Sequence, residues 1–101
     1  MKSVVLGKSP LKSSRLIYGC MRIAGDRSPE ARAAGRAALL AAYEAGYNHF
    51  DHANIYGAGA CETLHGDLLR ELPELRDRTI LTTKCGIRGA DGEVPASYDF
   101  R

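Results

Sequence analysis

A carboxylate, a phenol and an ammonium stand where this chain places the ends of short apolar strands: Asp51, Tyr56 and Lys84. Tyr47-Asn48-His49-Phe50-Asp51 and Thr79-Ile80-Leu81-Thr82-Thr83-Lys84 read as strands. The amphipathic segment between them suits the crossover of a β-α-β unit, which takes roughly 30 residues or more. Such crossovers are right-handed in nearly all cases, so the strands end side by side on the face where α/β sheets bind ligands. The trio suits delivery of a proton to an oxygen on which negative charge is developing, as when a hydride donor reduces a carbonyl. Tyr56 is the candidate acid. With an ordinary pKa of about 10, a tyrosine donates slowly near neutrality unless a cation stabilises its phenolate, and Lys84 is the candidate cation. Asp51 then supplies the counter-charge expected to keep a partly buried Lys84 protonated and oriented. Taken singly, Asp51 is an ordinary loop or capping carboxylate, Tyr56-Gly57 a turn, and Lys84 a solvated strand-end lysine. Their alignment at neighbouring strand ends is what favours chemistry.

The elements that must position this trio follow in order. Ser3 to Leu6 and Leu11 to Ser13 flank Gly7-Lys8-Ser9-Pro10, which predicts a small hairpin. Arg15-Leu16-Ile17-Tyr18-Gly19 reads as a strand buried on both faces of a parallel sheet. Ser28-Pro29-Glu30 starts a helix: Ser28 accepts a backbone N–H, Pro29 needs no donor in the first turn, and Glu30 complements the positive end of the dipole. Ala34, Ala37, Ala38, Ala41 and Ala45 recur at helical spacing, small enough to predict close approach to a sheet, and Gly46 stands where a left-handed residue ends the helix. After the Asp51 strand, residues 54–59 read as a loop. Cys61 to Leu72 form a second helix with Leu64, Leu68, Leu69 and Leu72 on one face, limited by Pro73. Gly89, Asp91-Gly92 and Pro95 predict a surface loop from Gly86 onward. A hairpin followed by β-α-β-α-β is the alternation of an α/β fold with parallel strands.

The chain of 101 residues is one domain at most. Lys plus Arg number 14 against 12 Asp plus Glu, and a net charge of +2 gives no argument for nucleic acid or a membrane as partner. Three cysteines without a C-x-x-C pair favour free thiols in a reducing compartment, so the expected location is cytoplasmic. No metal site is expected, because His49 shares a strand face with Asp51 while His52 points away from it. His49 is expected in packing or a polar core, His52 in support of the loop carrying Tyr56, and His65 on the second helix. Cys20 and Cys85 read as small buried side chains, Glu62 as a helix cap, and Arg22, Arg27 and Arg88 as solvated.

Asp51-His52-Ala53-Asn54-Ile55-Tyr56-Gly57, then Glu62 and Gly66 in the next helix, Thr83-Lys84 closing the third strand and Gly19-Cys20-Met21 after the first together resemble the aldo-keto reductases. The resemblance covers essentially the whole chain. It implies that residues 1–101 are the N-terminal third to half of a single TIM (β/α)8 barrel domain, capped by the hairpin, and that the whole protein reduces aldehydes and ketones with NADPH. It implies Tyr56 as proton donor, Lys84 as the residue that makes the phenol more acidic, and Asp51 as partner of Lys84. Cys20 and Met21, with Asp51, fall near the nicotinamide end of the cofactor. A threonine is more usual than Cys20, and the family's catalytic histidine belongs to a following strand. The fragment alone is therefore expected to be inactive. The alternative is a non-catalytic, cofactor-binding or regulatory module, or a truncated inactive fragment.

Overall fold

The computed structural model of the protein describes residues 1–100. Three parallel strands form its centre: β3 (Tyr18–Gly19), β4 (His49–Asp51) and β5 (Ile80–Thr82), in the spatial order β3-β4-β5. Gly19 stands opposite Asp51 and Asp51 opposite Thr82. Pairing continues beyond the strands, with Cys20 N–H donating to Asp51 O, His52 N–H to Thr82 O and Asn54 N–H to Lys84 O. The segments that follow the three strands are thereby tied to one another.

Helix α1 (Pro29–Glu44) joins β3 to β4, and α2 (Ala60–Glu71) with the short α3 (Glu74–Asp77) joins β4 to β5. Ser28 caps α1 as expected, accepting from Ala31 N–H, and Gly46 follows the helix at φ +100. The buried side of α1 differs from expectation. It consists of Gly35, Leu39 and Ala42, whereas Ala34, Ala37, Ala41 and Ala45 are exposed. The reason is local fit: a Cβ at Gly35 would overlap the Ile23 carbonyl oxygen and lie 3.1 Å from Leu64 Cδ1, so α1 sits against the β3–α1 loop and α2 at its glycine. On α2 the buried residues are Cys61, Leu64, His65 and Leu68, with Leu69 and Leu72 half-buried, so the expected leucine face is rotated toward Cys61 and His65.

Phe50, Leu39, Leu68, Cys20 and Cys61 form the fully buried centre. Phe50 points from β4 to the helices and meets the rings of Tyr18, Tyr43 and His65. Burial of such a side chain is worth about 1.5–3 kcal/mol. Its neighbours in sequence, His49 and Asp51, take the other face, as strand alternation requires.

The N-terminal hairpin is present as β1 (Ser3–Val5) and β2 (Lys12–Ser14), antiparallel, and it docks at the start of β4. Ser14 N–H donates to Asn48 Oδ1, Asn48 Nδ2 donates to Lys12 O, and the Ser13 hydroxyl is 2.9 Å from His49 Nδ1. The strand expected from Arg15 is shorter than its apolar run. Only Tyr18 and Gly19 pair with β4, and Leu16 and Ile17 lie in the exposed bend that leads from the hairpin into β3. The expected C-terminal loop is instead a hairpin, β6 (Ile87–Arg88) with β7 (Ser97–Tyr98). A bridge between Asp91 and Val94 closes its turn, and Gly92 at φ +56 supplies the left-handed residue a tight turn needs. Among the described residues no helix is long and apolar enough to cross a membrane.

Candidate active site

The carboxyl ends of β4 and β5 bring the sequence-predicted trio together. Lys84 Nζ donates to Asp51 Oδ1 at 2.8 Å and to the His52 carbonyl at 2.7 Å. The Tyr56 hydroxyl donates to Asp51 Oδ2 at 3.4 Å, and Lys84 Nζ lies 5.3 Å from the centre of the Tyr56 ring. Asp51 thus spans the two other groups, one through each carboxylate oxygen. Lys84 is exposed rather than partly buried, its side chain 47% accessible against 33% for Asp51. The hydrogen-bonded Asp51 carboxylate holds Lys84 above the ordinary lysine range, aided by the charge of Asp51 and by Tyr56 and opposed by what burial there is. The ammonium is therefore secure at neutral pH.

Tyr56 is set by an unusual stretch of backbone. It opens a tight turn, Tyr56–Gly59, in which Gly57, Ala58 and Gly59 all have positive φ before α2 begins. The left-handed region is open to glycine, but it costs Ala58 of order 1 kcal/mol or more. Gly57 also has a packing reason, because a Cβ there would lie 3.1 Å from Cys61 Sγ. The turn reverses the chain between the exit of β4 and the start of α2, and so returns the phenol toward Asp51. Glu62, expected as a cap, instead accepts from the Thr83 hydroxyl at 3.0 Å and fastens α2 to the residue before Lys84.

The turn after β3 divides its two side chains. Cys20 is fully buried and its thiol pKa is pushed up to about 12, first by burial and then by the nearby Cys61 and Asp51, so its side chain faces the core rather than a ligand. Met21 is the exposed residue of the pair. Gly19, opposite Asp51, has open space where a Cβ would project.

Several sequence readings are revised at this site. Cys85 is exposed rather than buried, whereas Arg88 is solvent-exposed as expected and also pairs with Asp99. His49 lies in a polar core, bonded to Ser13 and, at 2.7 Å, to the Thr82 hydroxyl. His52 has two roles, the carbonyl that holds Lys84 and a buried imidazole 2.7 Å from His65. The carbonyl contact had no side-chain signal in the sequence. The gathering of Cys20, His52 and His65 was also missed, although Cys61 and His65 one helical turn apart mark that face of α2.

The fold is thus a parallel β-α-β-α-β unit of the α/β class, with a carboxylate, a phenol and an ammonium joined at its strand ends. The chain belongs to the aldo/keto reductase family, whose model matches residues 15–100. It is 41% identical over 81 residues to pyridoxal 4-dehydrogenase of Microbacterium luteolum, covering 80% of this chain and 23% of that protein. Against a 6-dehydroglucose reductase of Agrobacterium fabrum it is 39% identical over 77 residues, 76% of this chain and 26% of the relative. Among solved structures, an aldo-keto reductase from Bacillus halodurans in its holo form superposes with a TM-score of 0.79 at 32% identity, covering 98% of this chain and 30% of that one. The chain thus spans about a quarter of the length of these curated relatives.

Proposed function

We propose that residues 1–101 are the N-terminal part of one aldo-keto reductase barrel, and that the complete (β/α)8 protein reduces small aldehydes or ketones to alcohols with NADPH in the cytoplasm. The observation that carries this reading is the pair of bonds by which Asp51 joins Lys84 and Tyr56 at the ends of neighbouring strands. Bound NADPH would supply the hydride, and its nicotinamide end fits the open strand end at Gly19 beside Met21 and Asp51. Tyr56 gives its proton to the carbonyl oxygen as charge develops there. To do so the hydroxyl turns from Asp51 to the substrate. Lys84, held by Asp51 and the His52 carbonyl, stabilises the phenolate that remains. Cys20 contributes to the cofactor side only through its backbone, since its thiol lies in the core.

A barrel of this kind runs to about 250 residues and binds phosphate through loops after its seventh and eighth strands, so the 101 residues alone do not turn over. The test is Tyr56→Phe in the complete barrel. Carbonyl reduction should fall by at least about 100-fold, the scale of general acid catalysis, while NADPH binding followed by fluorescence stays near wild type. Unchanged turnover would refute the role. The second reading, a regulatory module without turnover, has one supporting observation: a relative 35% identical is named a probable voltage-gated potassium channel subunit beta. A complete barrel that binds NADPH but reduces no carbonyl compound would favour it.

A further inference from the structure

Behind the strand ends, three elements direct ligand-type side chains to one buried point. Cys20 follows β3, His52 follows β4 and His65 belongs to α2; one ligand atom from each lies within 4.8 Å of the others, and all three residues are buried. His52 Nε2 is 2.7 Å from His65 Nδ1, and His65 Nε2 is 2.8 Å from the Tyr43 hydroxyl. Two neutral imidazoles facing each other share one N–H···N bond. His52 Nδ1 is then left over, the one buried side-chain nitrogen or oxygen without a partner among the described residues. The His52 ring is thus held on one side only, through Nε2.

We propose that Cys20, His52 and His65 form a site for one borderline-soft divalent transition metal, Zn²⁺ by the chemistry of its donors. Zn²⁺ takes imidazole nitrogen at about 2.0–2.1 Å and thiolate sulfur at about 2.3 Å, so a tetrahedral site needs ligand atoms roughly 3.3–3.6 Å apart. To reach that spacing His52 Nε2 and His65 Nδ1, now 2.7 Å apart, part by about 0.6–0.9 Å, and the widest pair, within 4.8 Å, closes by at most about 1.5 Å. The Tyr43 hydroxyl is the outer partner that fixes the ring and tautomer of a metal-bound His65. The fourth position of a tetrahedral ion would be taken by solvent, since Cys61 Sγ, one turn before His65 on α2, is turned to the Met21 carbonyl at 3.4 Å.

The donor set has no carboxylate, which disfavours Mg²⁺ and Ca²⁺. A cleft of about 130 Å³ lies beside His52 and His65, its wall also including Glu62, Leu69 and Thr83. A metal here would tie together the exits of β3 and β4 and the helix that follows the Tyr56 turn. The His52 side chain would hold the metal while its carbonyl still holds Lys84.

Cobalt(II), as a spectroscopic stand-in for Zn²⁺, is titrated into the reduced complete protein. The expected result is one equivalent bound, with the visible bands of tetrahedral cobalt and sulfur-to-cobalt charge transfer, displaced by Zn²⁺ and untouched by excess Mg²⁺. Cys20→Ser should abolish or diminish the charge transfer, and His65→Gln should weaken binding at least tenfold. Cys85→Ser and His49→Gln should leave it within twofold, since Cys85 is exposed and both nitrogens of His49 are engaged. The wild-type spectrum is decisive however the variants fold: absence of charge transfer at saturating cobalt overturns the site. Loss of the signal in Cys85→Ser, or its survival unchanged in both Cys20→Ser and His65→Gln, overturns it equally.

Discussion

Two helix-interior glycines provide a paired test of how α1 and α2 are seated. Replacing glycine by alanine in a helix interior recovers up to about 1 kcal/mol of propensity, and a chain read only as a string of helices would gain by that amount at Gly35 and at Gly66. The structure separates the two. At Gly66 a Cβ meets nothing within 4 Å, so Gly66→Ala should raise stability by about 0.5–1 kcal/mol. At Gly35 the new methyl would overlap the Ile23 carbonyl oxygen, lie 3.0 Å from its carbon and 3.1 Å from Leu64 Cδ1. Overpacking of this kind costs about 1–3 kcal/mol, and the upper part of that range applies because the obstacle is backbone that cannot rotate away. Against the propensity gain, Gly35→Ala should lose about 1–2 kcal/mol. Urea unfolding followed by far-UV circular dichroism measures both, the midpoint moving up for one variant and down for the other. A Gly35→Ala midpoint at or above wild type would show that α1 does not press on the β3–α1 loop and Leu64, and would remove the stated reason for the exposed alanines.

Two further outcomes follow from the charges. The imidazole of His65 titrates at about 4 in the folded chain against about 6.5 when unfolded, so its contribution is complete above pH 6.5 and is lost as pH falls from there toward 4. The loss is about 3 kcal/mol; unfolding free energies measured in chelator at pH 7 and pH 4.5 should show most of it, and a wild-type chain equally stable at both would count against the buried neutral imidazole. In the complete barrel, Lys84→Met should lower carbonyl reduction by at least about 100-fold and alter its pH profile, because the ammonium held by Asp51 is gone; retained activity with the same profile would exclude Lys84 from the chemistry.

Asp51, Tyr56 and Lys84 were readable without coordinates because strand period and chain order suffice to put them at parallel strand ends, and the structure adds the bonds that join them. The cap at Ser28, the left-handed Gly46 and the N-terminal hairpin were readable for a related reason: each depends on residues adjacent in the chain. The C-terminal hairpin was missed although Asp91-Gly92 carried its turn signal, because the arms Ile87–Arg88 and Ser97–Tyr98 are too short to show a strand period.

What required the tertiary structure is everything set by contacts between distant segments. The alanines of α1 have the spacing of a packed face, yet Gly35, Leu39 and Ala42 are buried instead, since the Ile23 carbonyl and Leu64 determine which side of the helix can come close. The His52 carbonyl beneath Lys84, the thiol of Cys20 turned inward and the meeting of Cys20 with His52 and His65 arise in the same way. Periodicity tells which residues share a side of an element, but the partner that side meets is chosen by the packing of the whole chain.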